Sequence, residues 1–500
     1  MQRRDFLGAG VAALFGTSAM QEALALGLRP GFDASAAPEL APLAGFRGSE
    51  QVQAEGLRVE GRIPAGLRGV YYRNGPGLME RGAERYRHWF DGDGFVQALR
   101  FEDGVVSHRG RFVQTAKFQA ESREQRFLVP TLGTAIPPRM QIRGPDSMNV
   151  ANTSVLRQGD RLYALWEGGS AYEIDPASLD TIGPRAWSDE LDGLPFSAHP
   201  KQEADGTSWN FGTFGERIVI YQLSGAGALV KSAVFEVPAS AMVHDFAVSQ
   251  RYLVFLLAPV TLDMAALRAG GISMLDAMRW HADAPTRVLI IEKGDLSRRR
   301  VLEMPASFVF HFGNAWDADG QIHLDYVEGA ALPVINASLE SLMRGRRPPQ
   351  RHSTPRFLRI TLQGDKGGRI ALQSRDEAVE FPVVDPRVVA QRYRQVFYPT
   401  AVGTGERWGF NGLMRLDLET GRRERFLFDL ETVVEEHVLV PKPGSSREGQ
   451  AWLVGMGYDL RRQRSFASVF DAEALSAGPL ARVWLPYAVP YGFHGRFYPA

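Results

Sequence analysis

Four histidines occupy positions where side chains could do chemistry: His199 in Phe-Ser-Ala-His-Pro-Lys, His244 in Met-Val-His-Asp-Phe, His311 in Phe-Val-Phe-His-Phe-Gly and His494 in Tyr-Gly-Phe-His-Gly-Arg-Phe. Each sits among apolar or aromatic residues, a setting in which burial keeps imidazole neutral. Neutral imidazole is the commonest side-chain ligand of transition metals. Taken singly, each reads more readily as a satisfied core histidine, and the spacings follow no H-E-x-x-H or Cys/His finger pattern. His494 is also close to the end of the chain, and chain ends ordinarily fray. The aromatics and glycines of residues 491–497 instead predict an end tied into the core.

Composition narrows the chemistry. The 500 residues carry 57 Lys and Arg against 57 Asp and Glu, so the formal net charge is zero and no basic footprint for nucleic acid exists. The clusters Arg298 to Arg300, Arg344 to Arg347 and Arg422 to Arg425 read as solvated turns. Cysteine is absent, which excludes a thiolate nucleophile, a Cys-ligated zinc and a cysteine-held iron–sulfur cluster. Stability must come from a large core, which 44% hydrophobic residues can supply.

The elements that must position these histidines read as strands. Short apolar runs recur from about residue 55, among them Arg161 to Trp166, Arg217 to Gln222, Tyr252 to Leu257, Arg287 to Ile291, Ile322 to Val327 and Gln450 to Gly455. They are of strand length, rich in β-branched and aromatic residues, and bounded by Gly, Asp or Pro. So many strands in one chain predict an all-β closed architecture, and a propeller accommodates this length. Propeller blades converge on one axis, so residues far apart in sequence can each place one side chain at its centre. Thr261 to Ala284 interrupts the pattern with partial helical spacing. It predicts a helical dome over one face, with part of its apolar surface available for peripheral membrane contact.

Residues 1–25 read as a leader: Arg3-Arg4-Asp5-Phe6-Leu7, an apolar run from Gly8 to Ala19, and Ala23-Leu24-Ala25. The twin arginine predicts Tat export to the periplasm. Residues 26–45 read as a linker or N-terminal arm, and residues 46–500 as a single propeller domain.

Several segments together resemble the carotenoid cleavage oxygenase family. They are Gly-Val-Tyr-Tyr-Arg-Asn-Gly-Pro at 69–76, His-Trp-Phe-Asp-Gly-Asp-Gly at 88–94, Asn-Thr-Ser-Val at 152–155, Ala-Leu-Trp-Glu-Gly-Gly at 164–169, the four histidine segments and Glu-Phe-Pro at 380–382. The resemblance implies a seven-bladed propeller with Fe(2+) held by His199, His244, His311 and His494. It implies that Glu167, Glu380 and Glu436 bond His244, His311 and His494 respectively, while His199 lacks such a partner. Glu435 adjoins Glu436, and His437 stands where the family usually has Pro. Thr153 matches a position near the open coordination site. The acids of 88–94 read as structural rather than as a second metal site.

The implied reaction is oxidative scission of a conjugated double bond of a carotenoid or apocarotenoid by dioxygen, giving two carbonyl products with no organic cofactor. Three alternatives stand beside it. Stilbene-cleaving members bind a phenol through Tyr and Lys; that Tyr is expected where His108 stands, and Lys117 lies nearby, which tilts the reading away from lignostilbenes. Isomerisation is a second alternative. A non-catalytic binding propeller is a third.

Overall fold

The computed structural model of the chain describes residues 32–46, 51–237, 241–348 and 352–500. The expected leader and the start of the arm lie outside the described residues. Seven antiparallel sheets follow one another as blades, and two short hairpins are inserted within the first and fourth. Blades 2 to 6 run outward from Ser154–Gln158, Lys201–Gln202, Ala247–Val248, Phe308–Ala318 and Gln395–Thr400.

Blades 1 and 7 are each built from both ends of the chain. In blade 1 the C-terminal strand Gly495–Pro499 pairs with Gly69–Arg73, placing Phe497 opposite Tyr71. In blade 7 the N-terminal strand Arg58–Gly61 pairs with Pro479–Trp484, placing Val59 opposite Val483. Ring closure therefore uses two separate ladders. The expectation that the C-terminus is tied down corresponds to an innermost strand.

The core lies between blades. Tyr71, Leu99 and Phe101 of blade 1 pack on Val438, Val454 and Val483 of blade 7. Phe211 and Ile220 of blade 3 pack on Phe246 and Phe255 of blade 4, and Tyr398 and Met414 of blade 6 on Val327 of blade 5. Comparable clusters fill the other four junctions. Inner strands are covered on both faces, so Tyr252–Leu257 and Ala451–Asp459 are buried throughout. They read as nearly continuous apolar runs in sequence for that reason. Outer strands such as Leu229–Glu236 alternate with period two.

One face is capped. The arm forms a 3-10 helix, Pro38–Ala44, whose Leu40 and Leu43 are buried with Trp89, Tyr491 and Phe493. Glu39 is fully buried and receives Arg347 Nε at 2.6 Å. Arg347 therefore anchors the arm instead of lying in a solvated turn. The 261–284 interruption is partly helical, with Met264–Ala269 and Met274–Ala277, but it is framed by the hairpin Val260–Leu262 with Met278–Trp280. Leu275 and Met278 face inward, while Met264 and Met274 are exposed.

Candidate metal centre

All four histidines sit at or just before the innermost strand of a blade, at one end of the axis. His199 precedes Lys201–Gln202, His244 precedes Ala247–Val248, His311 lies within Phe308–Ala318 and His494 precedes Gly495–Pro499. Their potential ligand nitrogens lie within 4.8 Å of one another. Nε2 of His199 and Nε2 of His244 face each other at 2.9 Å, and Nε2 of His311 is buried without a hydrogen-bond partner. An ion bound at about 2.1 Å from each nitrogen puts neighbouring ligand atoms about 3 Å apart and opposite ones about 4 Å apart. The observed spacing fits such an ion, and an orphaned buried nitrogen is accounted for if a cation is its partner.

Three of the rings are oriented from behind by carboxylates. Glu167 accepts from Nδ1 of His244 in a short contact. Glu380 Oε2 lies 2.6 Å from Nδ1 of His311, and Glu436 Oε1 lies 3.0 Å from Nδ1 of His494. Such contacts fix the tautomer and aim Nε2 at the centre. His199 is bonded to no carboxylate among the described residues.

The electrostatics follow from burial and these pairs. Burial holds His199 and His311 well below the ordinary imidazole range, aided by the neighbouring histidines. Burial also opposes the charged form of His244, but the Glu167 carboxylate outweighs it and holds that group up. Burial pushes Glu380 up to about 7. Burial acts on Glu436 in the same direction, yet the His494 imidazole and the Gly495 N–H hold it below the carboxylate range. A dication at the ring would favour the ionised carboxylates and neutral imidazoles together.

Local backbone irregularities aim these side chains. The ladder of Thr432–Pro441 slips between Val434 and His437. Such a bulge places two residues opposite one and re-aims them. Adjacent Glu435 and Glu436 therefore take different inward partners: Glu436 meets His494, while Glu435 pairs with buried Arg73 and accepts Gly492 N at 2.8 Å. A side chain at Gly492 would collide with the Arg73 guanidinium, so glycine is needed there. A second slip, between Val309 and Phe312, brackets His311. Phe381 adopts φ +51°, a strained region for an aromatic residue. That conformation turns its N–H onto the Glu380 carboxylate and sets its ring 5.1 Å from His311.

A cavity of about 280 Å³ opens on the ring. Trp89, Phe90, Phe310, Phe381, Trp408, Phe410 and Phe493 line it. Val334, Ile335, Ser338, Leu339 and Leu342, one face of the helix Leu332–Leu342, close one wall. Thr153 lines it beside the ring, donates to Asn152 Oδ1 at 2.9 Å and accepts the His494 N–H on its backbone oxygen at 3.3 Å. Sequence reading did not assign these walls. The i, i+1, i+4, i+5, i+8 spacing of 334–342 after the Leu332-Pro333 start was the available signal.

The acids of 88–94 have protein partners. Asp91 accepts Gly133 N at 2.9 Å and Thr134 Oγ1 at 2.6 Å, and Asp93 pairs with Arg81 at 2.8 Å and Lys117 at 2.9 Å. Lys117 is fully buried in that network, and His108 Nδ1 bonds Tyr487 at 2.8 Å. Neither His108 nor Lys117 lines the cavity.

Known proteins share this fold and much of this sequence. A family profile described as "Retinal pigment epithelial membrane protein" matches residues 45–499. The chain is 30% identical to the apocarotenoid-15,15'-oxygenase of Synechocystis over 88% of its own length and 92% of that protein. It is 27% identical to an isoeugenol monooxygenase of Pseudomonas nitroreducens, covering 89% and 94% of the two chains. It is also 27% identical to a lignostilbene-α,β-dioxygenase isozyme of Sphingomonas paucimobilis, covering 88% and 93%. Among solved structures, cobalt-substituted Synechocystis ACO superposes with a TM-score of 0.82 at 27% identity, covering 93% of this chain and 99% of that one. The chain belongs to the carotenoid cleavage oxygenase family.

Proposed function

We propose that this protein is an Fe(2+)-dependent dioxygenase that cleaves a conjugated double bond of an apocarotenoid or carotenoid into two carbonyl products. The observation that carries this reading is the aromatic-walled cavity ending on four convergent histidines. Bound iron would supply dioxygen binding and one-electron chemistry, and the alkene supplies the reducing electrons. His199, His244, His311 and His494 would hold it, with Glu167, Glu380 and Glu436 orienting three of the rings. The aromatic walls bind a polyene chiefly by burial, at about 25 cal/mol per Å² of apolar surface, and keep water from the ring. Thr153 limits the space beside it.

The match to isoeugenol and lignostilbene oxygenases supports a phenylpropanoid substrate as the second reading. Against it, His108 and Lys117 are both engaged outside the cavity. A panel of apocarotenals, carotenes, resveratrol and isoeugenol under air, with and without iron, separates the two. Two carbonyl fragments from an apocarotenal are expected. Turnover confined to the phenols would overturn the carotenoid reading, and an oxygen-independent isomer would point to isomerisation. No turnover of any alkene by iron-replete protein would favour the binding-propeller reading. The leader at 1–25 supports a periplasmic location, and exposed Met264 and Met274 support peripheral membrane contact. Cell fractionation tests both; cytoplasmic protein in the soluble fraction would refute them.

A further inference from the structure

The histidine ring separates two cavities. His311, His494, Phe381 and Glu436 line both; His244 lines the apolar one alone, and His199 lines the other alone. This second cavity, about 420 Å³, runs along the propeller axis on the far side of the ring and reaches exposed Pro386 and Pro499. Its lining includes Lys201, Gln202, Asp245, Asn314 and Arg496. Lys201 pairs with Asp245 at 2.8 Å, Glu436 with His494 at 3.0 Å, and Arg496 donates to the Pro200 carbonyl. Lys201 and Arg496 are offset by Asp245 and Glu436, so a hydrated ion meets charged and polar partners among the apolar lining residues and no net positive charge.

The apolar cavity offers the reverse. A hydrated dication passing its aromatic walls would lose water with few groups to replace it, which is strongly unfavourable. The ligands differ in the same sense. His244, His311 and His494 are buried and held by carboxylates. His199 is partly exposed and has no carboxylate behind it among the described residues. It is the ligand with least to restrain rotation about its side-chain bonds, and it faces the axial cavity, the less apolar of the two.

We propose that the metal enters and leaves through the axial cavity, past His199, which swings as the hinged ligand while the other three stay fixed. This rests on the ring being the metal centre. It separates the traffic: apolar substrate on one side of the ring, metal ion on the other.

The test follows iron and not turnover. Protein is loaded with Fe(II) without oxygen, its metal content is measured, and release into excess coloured ferrous chelator is timed by absorbance. Gln202→Trp, which narrows the axial cavity, is expected to slow release at least tenfold. Ser338→Trp, which fills the apolar cavity, should leave it unchanged. Lys201→Gln leaves Asp245 unpaired in the axial cavity, and should speed Fe(II) uptake several-fold at low salt and steepen its salt dependence. If Gln202→Trp fails to fold, the Lys201→Gln uptake rate decides. Rates moved by Ser338→Trp alone, or by none of the three, would overturn the axial route. Wild-type protein that retains no iron after loading would overturn the metal reading itself.

Discussion

At the scale of single residues, the site depends on carboxylates behind imidazoles. Glu380 sits 2.6 Å from His311 Nδ1, and Glu380→Gln keeps size while removing the charge that orients the ring. Fe(II) affinity, measured by chelator competition, should fall roughly 10–100-fold; wild-type affinity would make Glu380 an ordinary buried acid. His437 adjoins the site without facing it. It is buried, its Nε2 lies 2.7 Å from Ser468 Oγ, and burial pushes it down to about 3 from an ordinary 6.5. Because the folded value lies below the unfolded one, the unfolded chain takes up the proton first as pH falls. The stabilisation from the neutral ring is present above about 6.5 and drains away toward 3. His437→Gln should therefore flatten the loss of unfolding free energy between pH 6 and 4 by about one proton, or ~1.4 kcal/mol per pH unit. Parallel curves for the two proteins would show that His437 is not held neutral.

At the scale of elements, strands bring the ligands to the axis and bulges aim them. The histidines were legible because apolar neighbours and the order of segments mark them. The resemblance pointed to Glu436, which the structure sets on His494; that Glu435 also turns inward was not legible, since alternation along a strand puts only one of two adjacent residues on a given face. The slip between Val434 and His437 breaks that rule and leaves no mark in composition. The arm hid its burial behind Ala and Pro, and became readable only once Arg347 met Glu39. The interruption at 261–284 was legible as a dome but not as a hairpin with short helices, because six residues cannot show a helical period clearly. The C-terminal segment carries a large share of apolar burial. Tyr491 and Phe493 are buried, and each removes on the order of 200 Å² from water, ~5 kcal/mol before chain entropy is charged. Together that approaches the entire net stability of a typical domain. Deleting residues 490–500, which also removes His494 and an inner strand, should abolish cooperative unfolding and iron retention together. A truncated protein with wild-type melting and full iron would contradict the closure described for blade 1.

At the scale of the whole molecule, closure and convergence are one property. Seven packed junctions fix the inner strands against each other, and residues separated by nearly three hundred positions, such as His199 and His494, come to lie with ring centroids 4.5 Å apart. The propeller number was readable through family resemblance, which also named the four histidines that the structure brings together, whereas the two-sided character of their ring appears only when the blades are assembled. The central claim is that this ring holds one catalytic iron. The most direct measurement titrates Fe(II) without oxygen into metal-free protein, then admits air with an apocarotenal and records carbonyl product against iron bound. Cleavage should rise in proportion to iron and saturate at about one ion per chain, and His311→Ala should show neither tight iron nor product. Cleavage by metal-free protein, or undiminished cleavage in His311→Ala, would contradict it.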